Sequence, residues 1–291
     1  MSTTNRVQEA QLEAILAHPS YRLAHEDQEL LADADSRPIR LQLELLKPER
    51  YLRRHKIQST VVVFGSARVT SPQQAQATLA EVQARASSNP NDDRLPAAMT
   101  RARQQVRQSH YYEVARRFAE IVSLRFQEEG RRDFVVVTGG GPGIMEAANR
   151  GAFDAGARSI GLNITLQHEQ APNPFITPGL CFQFRYFGLR KMHFLMRAKA
   201  LVVFPGGFGT MDELFEVLTL VQTGKVSRVP IVLVGTDFWR KAINFDFLIE
   251  EGYIGAQDVQ LFTLVNTVEE IIATLQKFYG GNPPAQDANQ D

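Results

Sequence analysis

A glycine-rich turn between an apolar run and an amphipathic segment carries the clearest chemical signal in this sequence. It reads Pro205-Gly206-Gly207-Phe208-Gly209-Thr210-Met211-Asp212-Glu213. The run at 200–204 is typical of a buried parallel strand, and the apolar residues Leu214, Val217 and Leu218 then recur at helical spacing. Glycines leave backbone N–H groups uncovered, and the start of a helix adds partial positive charge, which suits a phosphate. The turn therefore predicts a nucleoside-monophosphate pocket with the carboxylate of Glu213 beside it.

The same residues allow a purely structural interpretation. Thr210 and Glu213 have the T-x-x-E spacing of a capping box, in which the two side chains accept hydrogen bonds from the first free N–H groups of a helix. Such a box contributes about 1 kcal/mol and needs no ligand. Three glycines exceed what a cap requires, so the pattern favours an anion site, but this motif alone leaves both interpretations open.

Two further turns have a related composition. Gly139, Gly140, Gly141 and Gly143 lie between a predicted strand and a predicted helix, and Gly65-Ser66 follows another apolar run. Neither the turn at 139–143 nor the main turn at 205–209 ends in Gly-Lys-Ser/Thr, so triphosphate hydrolysis is not indicated. Neither turn matches G-x-G-x-x-G with an acidic residue about 20 positions later, so dinucleotide binding is not indicated either. Because parallel strands end at one edge of a sheet, we expect the three turns to meet there. Tight helix packing and an ordinary turn are the structural alternatives.

A basic pair precedes the main motif. Arg190 and Lys191 lie in a segment whose apolar residues recur at helical spacing. A guanidinium binds a phosphate or ribose hydroxyls through a planar fork, whereas an ammonium acts as a point charge. Such pairs commonly lie on a solvated helix face, but the position directly before the main turn favours a functional role for Arg190.

Apolar runs alternate with amphipathic segments from Thr60 onwards, which predicts a Rossmann-like α/β fold with a doubly wound parallel sheet and helices on both faces. Predicted strands lie at 60–64, 134–137, 159–162, 200–204, 231–234 and 261–265, and predicted helices at 111–129, 143–155, 188–198, 210–223, 238–250 and 268–278. Residues 1–56 are expected to form an N-terminal helical extension, with helices around 7–17 and 41–52. Residues 57–279 are expected to form the main domain, with a helical insertion near 70–109, and 280–291 a disordered tail.

Composition narrows the function classes. The 32 basic and 32 acidic residues balance, so neither nucleic acid nor a membrane surface is an expected partner. Cys181 is the single cysteine and the six histidines are scattered, so the sequence indicates no disulfide, no metal and no cofactor. The N-terminal residues lack the pattern of a signal peptide, and no apolar stretch has the length of a membrane span, which predicts the cytoplasm.

These residues together resemble the LOG family, the cytokinin riboside 5'-monophosphate phosphoribohydrolases that are often labelled lysine decarboxylase-like. The family pattern P-G-G-x-G-T-x-x-E is matched in full from Pro205 to Glu213, and the family's R-K pair by Arg190 and Lys191. The similarity covers the chain from Ile57 to Phe278. The N-terminal extension and the 70–109 insertion are longer than in short family members, as in a long-form branch.

The resemblance implies hydrolysis of a nucleoside 5'-monophosphate, of the AMP or cytokinin riboside monophosphate type, to a free base and ribose 5-phosphate. It implies Arg190 and Glu213 as the catalytic pair and a homodimer in which helices pack across a two-fold axis. The predicted substrate-binding residues are Gly65, Ser66, Gly139, Gly140, Gly141, Gly143, Glu169, Lys191, Gly206, Gly207, Phe208, Gly209, Thr210, Met211, Asp212 and Thr219. Glu169 lies in a stretch that resembles a loop near the base or ribose, and a polar surface loop is its alternative.

A non-catalytic function also stays open. The same turns can hold a nucleotide or a nucleotide-like cofactor in a binding or carrier protein of the same fold. The decarboxylase label has no support in the residues, because pyridoxal phosphate chemistry needs a Schiff-base lysine and a partner for the pyridinium nitrogen. The sequence identifies neither of them.

Overall fold

The computed structural model describes residues 3–89, 91–128, 130–165 and 171–281. The chain divides into two compact units, Met1–Lys47 and Pro48–Asp291. This division falls before residue 56, the predicted end of the helical extension. The functional division of the chain into domains stays a prediction.

The first unit contains the helices α1 (Thr3–Ala17) and α2 (Gln28–Ala32) and the beginning of α3 (Arg37–Arg54). The Asp27 carboxylate caps α2, because it accepts hydrogen bonds from the backbone N–H groups of Glu29 at 3.0 Å and Leu30 at 3.1 Å. Both predicted N-terminal helices lie within α1 and α3.

The second unit is built on a sheet of seven parallel strands. They are β1 (Thr60–Phe64), β2 (Val135–Thr138), β3 (Ser159–Ile164), β4 (Cys181–Phe184), β5 (Ala198–Val203), β6 (Ile231–Val234) and β7 (Phe262–Val265). Their order across the sheet is β4-β3-β2-β1-β5-β6-β7. The winding direction reverses at β1 and β5, and ligands of such sheets bind at the carboxyl ends of the strands beside that reversal. The predicted doubly wound parallel sheet is confirmed.

The insertion after β1 forms two helices, α4 (Pro72–Ser88) and α5 (Leu95–Gln108). Ser71 and Gln74 form a capping box at the start of α4. Val82, Leu95 and Ala102 form a small apolar cluster of their own between the two helices. The insertion therefore folds as a helical hairpin.

Helices cover both faces of the sheet. The helices α6 (His110–Phe126), α7 (Ile144–Asp154) and α12 (Val268–Tyr279) pack on one face, and α8 (Phe187–Leu195), α9 (Phe208–Gln222) and α10 (Thr236–Ala242) on the other. Val61 and Val63 of β1 belong to the first core, while Val62 and Phe64 belong to the second. Burial on both faces explains why the strands read as continuous apolar runs.

The structure differs from the sequence predictions at two places. The strand β4 was not predicted, and its residues alternate between exposed and buried instead of forming an apolar run. The prediction of a single helix at 238–250 is wrong. The helix α10 ends at Ala242, and a separate helix, α11, runs from Phe245 to Glu250. Asn244 begins α11 by accepting a hydrogen bond from the Phe247 N–H group at 3.1 Å. The predicted tail lies outside the described residues from position 282 onwards.

None of the described helices combines the length and the apolar composition that crossing a membrane requires.

Candidate active site

Ser66 joins the three predicted turns through its backbone. Its N–H group donates to the Pro205 carbonyl at 3.0 Å, and its carbonyl accepts from the Ile144 N–H group at 3.1 Å. The turns after β1, β2 and β5 are therefore fixed to one another by main-chain hydrogen bonds. The Ser66 hydroxyl accepts a hydrogen bond from the Arg68 N–H group at 3.1 Å, so this hydroxyl stabilises its own turn.

Gly143 meets Ser66 at a spacing that only glycine allows. Its φ is +74°, and a Cβ atom at this position would lie 2.4 Å from the Ser66 carbonyl oxygen. Both the left-handed backbone and the missing side chain are required for this approach. The resulting contact brings the start of α7 against the turn that follows β1.

A buried polar network holds the glycine turn after β2. The Thr138 hydroxyl donates to Asn149 Oδ1 at 2.7 Å and accepts from the Gly140 N–H group at 3.0 Å. The Asn173 amide nitrogen lies 3.0 Å from the Gly141 carbonyl and 3.0 Å from Asn149 Oδ1. Because buried polar groups are costly without partners, this network specifies the conformation of the turn. Neither Asn149 nor Asn173 is among the site residues predicted from the sequence.

The three turns enclose an open cavity of about 680 Å³. Its lining residues are Phe64, Gly65, Ser66, Ala67, Arg68, Gly139, Met145, Phe187, Arg190, Gly206, Gly207, Phe208, Gly209, Thr210, Met211, Asp212 and Glu213. The structure thus brings together most of the predicted site residues. Arg68, Met145 and Phe187 line the cavity without having been predicted.

Some predicted residues lie elsewhere. Gly140, Gly141 and Gly143 shape the second turn but do not line the cavity. Lys191 does not line it either, and its ammonium group lies 3.9 Å from the Glu213 carboxylate. Thr219 is exposed further along α9, where its hydroxyl donates to the Phe215 carbonyl at 2.7 Å. The structure does not bring Thr219 to the cavity within one chain. Glu169 lies outside the described residues.

The N-terminus of α9 opens into this cavity. Gly207 is the residue that caps the helix, and no side chain makes a capping hydrogen bond there. Thr210 and Glu213 lie inside the helix, so they do not form the capping box that the sequence allowed. The N–H groups of Thr210 and Met211 both donate to the Gly207 carbonyl, at 3.0 Å each. Phe208 and Gly209 precede these bonds, and their N–H groups have no acceptor within the helix, which is the arrangement that can bind an anion at a helix start.

Glu213 carries a carboxyl group in an unusual environment. Its side chain is 11% exposed and lines the cavity. Burial raises the pKa of Glu213 to about 7, and the nearby charges of Lys191 and Arg190 oppose this shift. A carboxyl group that titrates near neutral pH is a frequent feature of catalytic sites.

Lys191 connects α8 to the first turns of α9. Its ammonium group lies 2.8 Å from Asp212, 2.7 Å from Glu216 and 3.9 Å from Glu213. Burial lowers the pKa of Lys191, but the hydrogen bonds with Asp212 and Glu216 outweigh this effect and the net result is a raised pKa. Lys191 is therefore held in its charged form beside the Glu213 carboxyl group.

Arg190 is anchored in the wall of the cavity. Its Nε atom donates to the Leu162 carbonyl at 2.7 Å, and its guanidinium carbon lies 5.2 Å from the centre of the Phe194 ring. A Cβ atom on Gly139 would lie 2.7 Å from one terminal nitrogen of Arg190, so the glycine makes room for the guanidinium. Burial lowers the pKa of Arg190, and the Glu213 carboxylate partly offsets this effect. Arg190 does not lie on a solvated helix face.

Comparison with known proteins gives a family and several relatives. The family model described as possible lysine decarboxylase matches residues 145–275. The chain is 28% identical over 151 residues to cytokinin riboside 5'-monophosphate phosphoribohydrolase LOG4 of Arabidopsis thaliana, covering 50% of this chain and 69% of that protein. It is 26% identical over 153 residues to the probable enzyme LOGL3 of Oryza sativa subsp. japonica, covering 50% and 68%.

Solved structures show a more distant likeness. The Moco carrier protein of Chlamydomonas reinhardtii aligns with a TM-score of 0.45 and 16% identity over 77% of this chain and 99% of its own. The molybdenum cofactor binding protein of Rippkaea orientalis aligns with a TM-score of 0.45 and 14% identity over 77% and 96%. The predicted resemblance to the LOG family is confirmed by the family model that matches residues 145–275 and by the similarity to the LOG proteins of Arabidopsis thaliana and Oryza sativa.

Proposed function

We propose that this chain hydrolyses the N-glycosidic bond of a nucleoside 5'-monophosphate and releases a free base and ribose 5-phosphate. The observation that carries the proposal is the placement of Glu213, a buried carboxyl group with a pKa of about 7, in one cavity with the open N-terminus of α9. The first feature suits an electron-poor sugar carbon, and the second suits a phosphate. The similarity to LOG proteins supports the same reaction class.

The phosphate would bind at the start of α9. The N–H groups of Phe208 and Gly209 face no intrahelical acceptor there, and the helix dipole adds partial positive charge. Phosphate binding away from the bond that breaks would hold the ribose in a fixed orientation. Binding energy of this kind lowers the activation barrier, because a bound and oriented substrate has already lost the translational and rotational entropy that a free substrate must lose to reach the transition state.

Glu213 would act at the sugar. When the N-glycosidic bond breaks, its electron pair leaves with the base, and positive charge develops on C1' and O4' of the ribose. An ionised carboxylate at this point stabilises the charge, or accepts a proton from the water that attacks C1'. The departing base then takes up a proton. Both roles require Glu213 to be charged when the bond breaks.

Arg190 and Lys191 would favour the ionised form of the Glu213 carboxyl group. Lys191 lies 3.9 Å from Glu213, and the pKa of Glu213 is lowered by both cations against the larger effect of burial. The guanidinium of Arg190, fixed by Leu162, would orient the substrate through its terminal nitrogens. The pair therefore adjusts the charge of Glu213 and positions the nucleotide.

The reaction is tested with AMP and adenosine as a matched pair. The purified protein should release adenine and ribose 5-phosphate from AMP, and adenosine should react at least about 100-fold more slowly, because it lacks the phosphate that positions it. Chromatography of the base and an assay for ribose 5-phosphate measure both reactions. Equal rates would contradict the role of the phosphate site. Recovery of bound but intact AMP would favour a binding or carrier protein.

Amino-acid decarboxylation is not supported by the site. Lys191 lies beside the cavity-lining residue Glu213, and its hydrogen bonds with Asp212 and Glu216 raise its pKa against the effect of burial. A Schiff-base lysine must lose its proton before it attacks an aldehyde. The environment of Lys191 therefore opposes that chemistry.

We also propose a homodimer, in which helices of two copies pack together. On α8 and α9, Met192 is 48% exposed and Phe215 is 40% exposed, and Met196, directly after α8, is 36% exposed. Met192 and Met196 line an open groove with Leu220 and Val226. An apolar surface of this kind is typical of a protein interface.

Light scattering tests the dimer. The wild type should have twice the 32.6 kDa mass of one chain, and Met192→Glu should shift the mass towards one chain, because it places a charge in the apolar surface. Leu124→Glu is a matched control, since Leu124 is 64% exposed on α6, which packs on the other face of the sheet. A wild type that elutes and scatters as a single chain at high concentration would refute the dimer.

We place the protein in the cytoplasm, which the single cysteine supports.

A further inference from the structure

Arg68 lines the cavity and has no part in the function proposed above. It lies in the turn after β1, on the wall formed by Gly65, Ser66 and Ala67. Its N–H group donates to the Ser66 hydroxyl, and the Ser66 N–H group donates to the Pro205 carbonyl. The backbone of Arg68 is therefore tied to the glycine turn that begins α9.

Among the residues that the structure describes, the charged side chains of the cavity pair with one another and leave Arg68 without a counter-charge. Four charged side chains line it: Arg68, Arg190, Asp212 and Glu213. Asp212 pairs with Lys191 at 2.8 Å, and Glu213 interacts with both Arg190 and Lys191. Within the described ranges, no carboxylate lies within ion-pair distance of the Arg68 guanidinium. An exposed cation beside an anion-binding helix start is complementary to a ligand that carries negative charge.

Arg190 is less suited to the same ligand group. Its Nε atom is already bound to the Leu162 carbonyl, and its guanidinium lies near the Glu213 carboxylate. A phosphate bound to Arg190 would compete with Glu213 for that charge and would bring two anions together. Arg68 has neither constraint among the described residues.

We propose that the Arg68 guanidinium binds the 5'-phosphate of the substrate, opposite the N-terminus of α9, and thereby selects phosphorylated nucleosides over free nucleosides. This inference rests on the proposed function and adds its phosphate-selecting residue. A phosphate monoester carries about −1.5 to −2 charges at neutral pH, which is more than the roughly half charge of one helix N-terminus can balance. A guanidinium supplies a full charge and a planar pair of donors that match two phosphate oxygens.

The test uses the full-length variants Arg68→Gln and Arg68→Lys. The control is Arg103→Gln, which removes the same charge from an exposed position on α5 outside the cavity. The kinetic readout is kcat/KM for AMP and for adenosine. The second readout is the dissociation constant of ribose 5-phosphate by calorimetry, which does not depend on turnover.

Arg68→Gln is expected to weaken ribose 5-phosphate binding about 10- to 100-fold, the range for loss of a charged hydrogen-bond donor. The preference for AMP over adenosine should fall by a similar factor, mainly through a higher KM for AMP. Arg68→Lys should restore part of both, because it keeps the charge but not the fork. Arg103→Gln should behave as the wild type.

The outcomes separate the two proposals. If the wild type leaves AMP intact but binds ribose 5-phosphate with the expected dependence on Arg68, the hydrolase function fails and the phosphate site stands. If AMP is hydrolysed and Arg68→Gln binds ribose 5-phosphate as tightly as the wild type, the role of Arg68 is refuted alone. If the wild type binds neither AMP nor ribose 5-phosphate, both proposals are wrong.

Discussion

Replacing Glu213 with glutamine is expected to lower kcat for AMP hydrolysis at least about 100-fold while the fold is preserved, the size of loss seen when one preorganised electrostatic group is removed. Glutamine has the same shape as glutamate but no negative charge. It can neither stabilise the positive ribose nor accept a proton from water. Steady-state kinetics with AMP, together with the circular dichroism spectrum of the variant, measure both parts of the expectation.

Glu216→Gln is the matched control for this substitution. Glu216 lies on the same helix and contacts the same lysine, at 2.7 Å, but it does not line the cavity. Its removal should change kcat only a few-fold, about the size expected for a change in a neighbouring surface charge. Full activity in Glu213→Gln would return Glu213 to a structural role and remove the basis of the proposed reaction.

The same Glu213→Gln variant is expected to be more stable than the wild type above pH 7. In the folded protein the pKa of Glu213 is about 7, against 4.5 for an ordinary glutamate, which corresponds to about 3 kcal/mol of free energy of unfolding. Because the folded pKa is the raised one, stability is fully present below pH 4.5 and is lost as the pH rises towards 7. Glutamine carries no such cost, so its advantage should grow across that window.

Urea denaturation of both proteins at pH 5 and pH 8 measures the difference. The stability gained by the substitution should be about 1 kcal/mol at pH 5 and should approach about 3 kcal/mol at pH 8. Glu270→Gln is a control of opposite sign, because hydrogen bonds from the backbone N–H groups of Asn266 and Thr267 lower the pKa of Glu270. That variant should lose stability at pH 8. A Glu213→Gln difference that does not change with pH would show that Arg190 and Lys191 fully compensate the buried charge.

The two expectations for Glu213 belong together. A buried carboxylate lowers the free energy of unfolding at neutral pH, and such a loss of stability is typical of residues whose charge is needed for activity. Activity and stability should therefore change in opposite directions in this one variant.

Most of the fold is visible in the sequence because the sheet is buried on both faces. A strand such as β6 presents four apolar residues in a row, and this pattern is readable without a structure. The strand β4 is different, because its residues at the edge of the sheet alternate between exposed and buried. A run of four residues with that pattern resembles a loop. The break between α10 and α11 depends on one asparagine cap inside an amphipathic segment, which periodicity alone does not reveal.

The candidate site was predictable where it depends on glycine and unpredictable where it depends on distant contacts. Glycine turns have a local signature, and those after β2 and β5 stand out in the sequence. The Asn149–Asn173 hydrogen bond joins residues 24 positions apart, and the Lys191–Glu216 pair joins residues 25 positions apart. Arg68 gave no signal because its proposed role rests on its position in the cavity wall and on the absence of an ion-pair partner among the described residues. An asparagine inside the apolar face of α7 is the one clue that periodicity offered.

The hydrogen bonds that join the three turns at Ser66 do not depend on the side chains that line the cavity wall. Pro205, Ser66 and Ile144 are joined through main-chain atoms, which every amino acid possesses apart from the missing N–H group of proline. Side chains on the cavity wall, such as those of Phe187 and Met145, take no part in these main-chain hydrogen bonds. Substitution of wall residues can therefore change the shape and polarity of the cavity while the three turns stay joined to one another.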